Sequence, residues 1–300
     1  WLAQQLKNMP IQVSNDSIGN TFGRLGNQGG PAIGIGSHLD TVKNGGLYDG
    51  AYGTLAALEV IRSLADQQVT LTHDVLLTCF VGEEVNPLGG TFGSRALAGQ
   101  LEPADSEFFD QATVASVKLV PQTYSHFLEL HIEQSTTLVR TGVTIGIPNA
   151  IAGIVRYEYN FIGRADHAGA TMMPYRQDAL VAASQFVTNV SECAKVSQEQ
   201  LVATVGKLDV FPNSPTVIPG RVELVLEVRA VDMEKARDFH DQMNAWLLEQ
   251  QIKFTDKCIT NKASGHLSQQ MQTSIEQAAI QFELPFMHLF SGANHDVNAM

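Results

Sequence analysis

The 300-residue chain is short of cysteine, of tryptophan and of positive charge. Its three cysteines, Cys79, Cys193 and Cys258, are far apart and odd in number. Neither a disulfide framework nor a thiolate metal cluster is implied, and a reducing, cytoplasmic setting is expected. Nineteen basic residues stand against 31 acidic ones, a net charge of −12 with no block of like sign. A nucleic-acid partner is not expected, because phosphate recognition needs a basic face. No apolar run reaches the roughly 18–20 residues that cross a bilayer, and the first thirty residues carry no targeting pattern, so no membrane partner is expected either. Internal repeats and low-complexity stretches are missing as well. What is plentiful is apolar material: 44% of residues, enough for two packed cores at roughly 150 residues per domain.

The first half reads as α/β. Pro31-Ala32-Ile33-Gly34-Ile35-Gly36 predicts a buried strand that delivers Ser37-His38-Leu39-Asp40 at its C-terminal end. Asp49-Gly50 opens a helix from Ala51 to Asp66, with Leu55, Leu58, Ile61 and Ala65 as its apolar stripe. The unbroken run Val75 to Val81 predicts a central strand buried on both faces, stopping at Glu83-Glu84. Phe127 to Glu133 reads as a further strand with polar groups at its end. From about Gly153 the order becomes strand (Ile154 to Gly163), helix (Arg176 to Lys195), strand (Leu201 to Phe211), strand (Arg221 to Ala230), helix (Met233 to Gln250), strand (Ile252 to Thr260). That βαββαβ order predicts a ferredoxin-like module with two helices on one face of an antiparallel sheet. A helix from Ser268 to Glu283 and a strand from Pro285 to Phe290 lead to the loop Ser291 to Asp296. The expected organisation is a catalytic α/β domain, residues 1–152 and 265–300, interrupted by a small domain at 153–264.

In open α/β sheets ligands collect at the carboxyl ends of strands. Here those ends carry His38 with Asp40, the pair Glu83-Glu84, and His131, with Asp49 on a glycine-rich loop nearby. Imidazole nitrogens and carboxylates converging on one sheet edge suit a divalent cation such as Zn²⁺. If His38 binds metal through one ring nitrogen, Asp40 is placed to accept the proton of the other. Neighbouring glutamates at the end of a buried strand repel unless a cation intervenes. One of Glu83 and Glu84 then binds metal while the other serves as general base; spacing alone leaves open which.

Six segments together carry a resemblance: Gly36-Ser37-His38-Leu39-Asp40-Thr41, Tyr48-Asp49-Gly50-Ala51-Tyr52-Gly53, Gly82-Glu83-Glu84, Glu129-Leu130-His131-Ile132-Glu133-Gln134, Asp166-His167-Ala168-Gly169 and Ser291-Gly292-Ala293-Asn294-His295-Asp296. Over nearly its whole length the chain resembles the di-metal amidohydrolases related to aminoacylases and zinc exopeptidases. Within them it is most similar to the allantoate amidohydrolase, N-carbamoyl-L-amino-acid hydrolase and β-ureidopropionase branch. His131 is the branch-specific feature, since peptidase relatives usually have an acidic ligand there.

The resemblance implies two divalent metal ions per chain, Zn²⁺ or else Mn²⁺, Co²⁺ or Ni²⁺. His38, Asp49 and His131 would hold one, and Asp49, Glu84 and His295 the other, with Asp49 bridging. Glu83 is then the general base. The resemblance further implies a homodimer in which His167 of the inserted dimerisation and lid domain polarises the scissile carbonyl of a neighbouring subunit. Gln134, Asn213 and Arg229 would contact a small substrate bearing a carboxylate, which Arg229 can grip through two parallel hydrogen bonds. The structural alternatives are a surface arginine at Arg229, a turn histidine at His167 and a turn asparagine at Asn213. His73, His126, His240, His266 and His288 show no motif, and Cys79 reads as a small buried apolar residue.

The expected activity is hydrolysis of a ureido or carbamoyl C–N bond, first of all in an N-carbamoyl-L-amino acid, with allantoate as the alternative. Further alternatives are a dipeptidase or N-acyl amino-acid hydrolase, and a non-catalytic metal-binding dimer. Two departures from relatives lie near the expected metals: Asn294 in place of glycine, where tolerance of positive φ would preserve the loop, and Val85-Asn86-Pro87-Leu88 after the glutamate pair. Trp1 and Met300 are expected to mark a fragment, with the catalytic domain incomplete at both ends.

Overall fold

A computed structural model describes residues 1–84, 86–87, 89–101, 116–117, 123–197 and 201–300. Val85 and Leu88, half of the departure noted above, lie outside the described residues. The chain divides into two compact units, one of residues 1–146, 273–287 and 293–300, the other of 147–272 and 288–292.

The first unit begins with a short helix α1 (Leu2–Lys7) and a hairpin, β1 (Gln12–Asn15) and β2 (Thr21–Leu25). It continues with β3 (Ala32–His38), α2 (Ala51–Asp66), β4 (Val75–Phe80), α3 (Phe92–Leu97), β5 (Tyr124–Leu128) and α4 (Thr137–Thr141). The strands form one mixed sheet in the order β1-β2-β4-β3-β5. β3 runs parallel to both β4 and β5, so all three deliver their C-terminal ends to one edge. Every residue of β4 is buried, as its unbroken apolar run demands. Leu2 and Leu6 of α1 join Ala57, Leu58 and Ile61 of α2 and Val75, Leu77 and Cys79 of β4 in one core.

Two details depart from the sequence reading. The buried face of α2 is Gly53, Thr54, Ala57, Leu58 and Ile61, while Leu55 is exposed. The helix is rotated because small residues let it approach the sheet: a methyl on Gly53 would overlap the carbonyl oxygen of Leu130. The strand expected at Phe127 to Glu133 also lies earlier. β5 ends at Leu128, and Glu129 to Glu133 leave the ladder, with Glu133 accepting from the N–H groups of Thr137 and Leu138 to cap α4.

The chain then forms β6 (Ile145–Ile151), β7 (Gly153–Ile162), β8 (Asp166–His167), α5 (Ala179–Val196), β9 (Leu201–Phe211), β10 (Val217–Ile218), β11 (Arg221–Ala230), α6 (Met233–Glu249), β12 (Phe254–Lys262), β13 (Gly265–His266), α7 (Gln269–Gln281) and β14 (Phe286–Ser291). In the second unit β12-β7-β11-β9 is a fully antiparallel sheet. α5 begins after the expected Arg176 because Asp178 caps it, accepting from the N–H groups of Leu180 and Val181. Ala183, Phe186 and Val190 of α5 and Ala236, Phe239, Met243 and Leu247 of α6 pack on the sheet with Tyr159 and Phe161. β11 alternates strictly: Val222, Leu224, Leu226, Val228 and Ala230 face this core. Its intervening residues, Glu227 and Arg229 among them, lie on the opposite face. No helix among the described residues is long and apolar enough to cross a membrane.

Candidate metal centre

Three parallel strands and one loop supply the site in the first unit. β3 ends in His38, whose ring is buried at 1% exposure. The carbonyl of His38 accepts from Thr54 Oγ1 at 2.9 Å, which fixes the strand end to α2. Gly50, the residue before α2, takes φ +63° and lies flat against the His38 ring. A side chain there would be strained by the backbone and would collide with the imidazole. The chain after β4 places Glu83 Oε2 3.6 Å from His38 Nε2. After β5 comes His131, and the loop before the C-terminal 3₁₀ turn supplies His295, whose ring centroid is 4.5 Å from that of His131.

The tautomers follow from the partners. His38 Nδ1 meets the carbonyl of Asp40 at 2.9 Å, and His131 Nδ1 meets the carbonyl of Ile132 at 3.0 Å. A carbonyl only accepts, so in each neutral ring the proton sits on Nδ1 and a lone pair sits on Nε2. Those two Nε2 atoms face each other at 3.4 Å, and His131 Nε2 stands 3.3 Å from Asp49 Oδ1. With both rings neutral, three acceptors converge with no proton among them, an arrangement that repels itself unless a cation lies between. Donor atoms on a tetrahedron of about 2.0 Å radius stand about 3.3 Å apart. The donor set and its spacing fit a divalent metal ion.

Among the described residues, His38, Asp49 and His131 form one cluster with donor atoms within 4.8 Å of one another, and Glu129, His131 and His295 form a second. Glu84 belongs to neither. Its carboxylate receives the N–H of Val42, and burial, with Asp49 beside it, raises its pKa. Glu83 is pushed further, to about 8, by burial first and then by the negative charges of Glu84, Glu129, Asp40 and Asp49. His295 moves the opposite way, down to about 3, through burial and the imidazoles of His131 and His38. Acids forced up and an imidazole forced down in one place are the signature of donors assembled for a positive charge.

Asp40 acts differently from its expected role. Its backbone carbonyl, not its carboxylate, holds His38 Nδ1; the nearer carboxylate oxygen is 3.8 Å away. The carboxylate instead accepts from the N–H groups of Glu83 at 3.4 Å and Glu84 at 3.1 Å, so it orients the glutamate pair. Gln134, at φ +57°, donates from Nε2 to both oxygens of Asp49, at 3.2 and 3.0 Å. Asn294 is not at positive φ, so its loop needs no glycine-like backbone there. Its amide nitrogen instead contacts Thr91 Oγ1 at 3.5 Å and its oxygen accepts from Asn298.

Two carboxyls escaped the sequence reading. Glu129 accepts from Ser37 Oγ at 2.7 Å and from the Val297 N–H at 2.8 Å. Asp296 is fully buried; Oδ1 accepts from Ser94 Oγ, and Oδ2 has no partner among the described residues. Burial, and then the charge of Glu129, raise the Asp296 pKa well above the usual carboxylate range. The available signal was spacing: Glu129 lies two residues before His131, on the same side of an extended segment.

In the second unit His167 lies on β8, exposed. Its Nδ1 accepts from the N–H groups of Gly169 at 3.0 Å and Ala170 at 3.1 Å, which leaves the proton of the neutral ring on Nε2 as an outward donor. Arg229 donates through Nε to Glu227 Oε1 at 2.7 Å and through Nη1 to the carbonyl of Gly292 at 2.8 Å. Arg156, opposite Glu227 on β7, donates to Oε2 of the same carboxylate at 2.6 Å. Arg229 Nη2 makes no hydrogen bond among the described residues and stays available as a donor pair. Asn213 sits at φ +57° after a cis Phe211-Pro212 bond, exposed.

Known proteins agree with this architecture. An N-carbamoyl-L-amino acid amidohydrolase of Geobacillus stearothermophilus is 32% identical over 319 residues, covering 98% of this chain and 78% of that protein. An allantoate amidohydrolase of Escherichia coli (strain K12) is 32% identical over 308 residues, covering 95% and 75%. The crystal structure of an amidase of the hydantoinase/carbamoylase family from Burkholderia phymatum superposes with a TM-score of 0.87 at 28% identity, over 100% of this chain and 79% of that one. The profile of peptidase family M20/M25/M40 matches residues 34–300. A mixed α/β sheet that brings His38, Asp49 and His131 to one edge is thus the frame of a known hydrolase family, and the chain belongs to peptidase family M20/M25/M40.

Proposed function

We infer that the chain is a metal-dependent hydrolase of a carbamoyl or ureido C–N bond in a small carboxylate-bearing substrate, an N-carbamoyl-L-amino acid first of all. The observation that carries the reading is the convergence of His38 Nε2, His131 Nε2 and Asp49 Oδ1 while both Nδ1 atoms face carbonyls. His38, Asp49 and His131 would hold one divalent ion, and His295 with Glu84 and Asp49 the other. Bound there, divalent ions polarise a carbonyl and lower the pKa of water. Glu83, whose Oε2 lies 3.6 Å from His38 Nε2, takes a proton from the attacking water and returns it to the leaving nitrogen. One water is consumed per N-carbamoyl amino acid, and the products are the amino acid, ammonia and carbon dioxide.

Residues 153–264, which lie within the second unit, are read as a ferredoxin-like insertion that serves as lid and dimerisation domain, with residues 1–152 and 265–300 as the catalytic domain. Its strand order and βαββαβ succession support the ferredoxin-like description. His167 is assigned to the carbonyl oxygen, which its Nε2 donor suits. Gln134, Asn213 and Arg229 are assigned to the substrate, Arg229 to its carboxylate through the donors that Glu227 leaves open. Allantoate is the second reading, favoured by the amidohydrolase relative of equal identity.

The test is ammonia release by the protein supplied with Zn²⁺, Mn²⁺ or Co²⁺, offered N-carbamoyl-L-amino acids, allantoate, an N-acetyl amino acid and a dipeptide. Release from the carbamoyl substrates is expected. Glu83→Gln should keep the metal and lower kcat by about 10²–10⁴. Cleavage of the dipeptide with no ammonia from any carbamoyl or ureido substrate would overturn the reading.

A further inference from the structure

Glu129 touches, through one carboxylate, every segment that bears an imidazole of the site. Oε1 accepts from Ser37, the residue before His38. Oε2 accepts from the backbone of Val297, which follows His295-Asp296. Its own backbone continues through Leu130 into His131. The contacts that orient the single rings are separate: the carbonyls of Asp40 and Ile132 set the directions of His38 and His131 but join no distant segments. Asp296 and Asn294 tie the His295 loop to Ser94 and Thr91, at and beside α3, whereas Glu129 ties it to Ser37 of β3.

We propose that Glu129 is a positioning residue that sets the spacing of His38, His131 and His295 by bracing Ser37 and Val297 from one carboxylate, and thereby sets their affinity for a divalent cation. The proposal rests on reading these imidazoles as metal ligands. Lone pairs facing each other at 3.4 Å push apart when no cation is bound. A brace behind the rings holds them at the bound spacing and removes that reorganisation from the binding step. Second-row partners of metal-ligating histidines typically contribute 10–100-fold in affinity.

The probe is Co²⁺, titrated into the full chain against a competing chelator. The visible absorption of the complex and the melting temperature of the metal-free protein are recorded alongside. Glu129→Ala should bind Co²⁺ about 10–100-fold more weakly, with an altered visible band. Glu129→Gln should stay within about threefold of the parent: its amide oxygen still accepts from Val297, and its NH₂ can meet the Ser37 hydroxyl oxygen. Ser37→Ala, which removes one arm, should fall between, and it decides the matter if Glu129→Ala fails to fold. Parental affinity and an unchanged band in Glu129→Ala or Ser37→Ala overturn the proposal, even if the metal-free protein melts earlier, since that is what a merely structural role would give. So does a Glu129→Gln as weak as Glu129→Ala, which would make the carboxylate a ligand in its own right. A parent protein that binds no Co²⁺ refutes the metal-centre reading itself, an outcome distinct from both.

Discussion

Gly50→Ala tests the site at its tightest point. The residue combines a positive φ of +63° with a contact that leaves no space for a methyl: an added Cβ would stand 2.5 Å from His38 Nε2 and closer still to Cε1 and Nδ1. Ordinary contact is about 3.5 Å, so the ring must retreat by about 1 Å. It has nowhere to go, being 1% exposed with Nδ1 tied to the Asp40 carbonyl. The left-handed backbone costs about 1 kcal/mol and the overpacking about 1–3 kcal/mol, or about 2–4 kcal/mol together. At about 2–4 °C per kcal/mol the metal-free protein should melt roughly 5–15 °C lower. A 1 Å shift also exceeds the ~0.2 Å tolerance of a coordination bond, so metal content should fall as well. Gly142→Ala is the internal control: it shares the positive φ, at +67°, but a Cβ there meets nothing within 4 Å. It should cost only the backbone share and leave metal content whole. Melting curves in the presence of chelator and elemental analysis of the metal-loaded protein read both effects. Equal melting temperatures for the two variants, with full metal content in Gly50→Ala, would refute the argument that His38 is clamped by the helix start.

Other expectations concern the two units separately. In the first, Asp74 is 1% exposed; burial alone would raise its pKa, but the N–H of Gln28, the Arg24 guanidinium and the N–H of Gly29 outweigh it and hold the carboxyl below the usual range. A carboxyl with a folded-state pKa below its unfolded value stabilises above the unfolded value, and that contribution is lost as pH falls through the folded one. Acid melts should therefore show stability falling below about pH 4, and Asp74→Asn should cost about 2–4 kcal/mol near pH 7 while flattening that acid limb. In the second unit Phe186 is fully buried against Tyr159 and Phe161, so Phe186→Ala should cost about 3–5 kcal/mol by denaturant unfolding. Chelation of the metal-loaded protein should abolish ammonia release and lower the melting temperature, both restored by added Zn²⁺, Mn²⁺ or Co²⁺.

How much of this was legible beforehand follows from what each segment depends on. β4 and β11 announce themselves because burial on both faces, or on every second residue, writes a period into the chain. α2 has its ends legible and, in Leu58 and Ile61, part of its face; the close contact of Gly53 with Leu130 was not, since periodicity counts only side chains that exist. The α1 helix and β1-β2 hairpin went unread because their short spans carry too few periods. His38, Asp49 and His131 were readable as candidate ligands from strand-end and loop position, and were grouped as one set by the family resemblance; the fold brings their donor atoms together. Glu129 and Asp296 were not, because what distinguishes them is long-range: partners at Ser37, Val297 and Ser94 that only the tertiary fold brings near.

The strict alternation of β11 has a consequence for how such an enzyme changes its diet. The residues that hold the helices and those that carry charge occupy opposite sides of a single strand, in register with Arg156 across from Glu227. Selection, natural or in a laboratory library, can therefore rewrite Glu223, Val225, Glu227 and Arg229 together with Arg156 while the hydrophobic half remains untouched. Under the role proposed for Arg229, new preferences for the acidic end of a substrate would be reachable by point changes on one side of a ribbon whose other side keeps the unit folded.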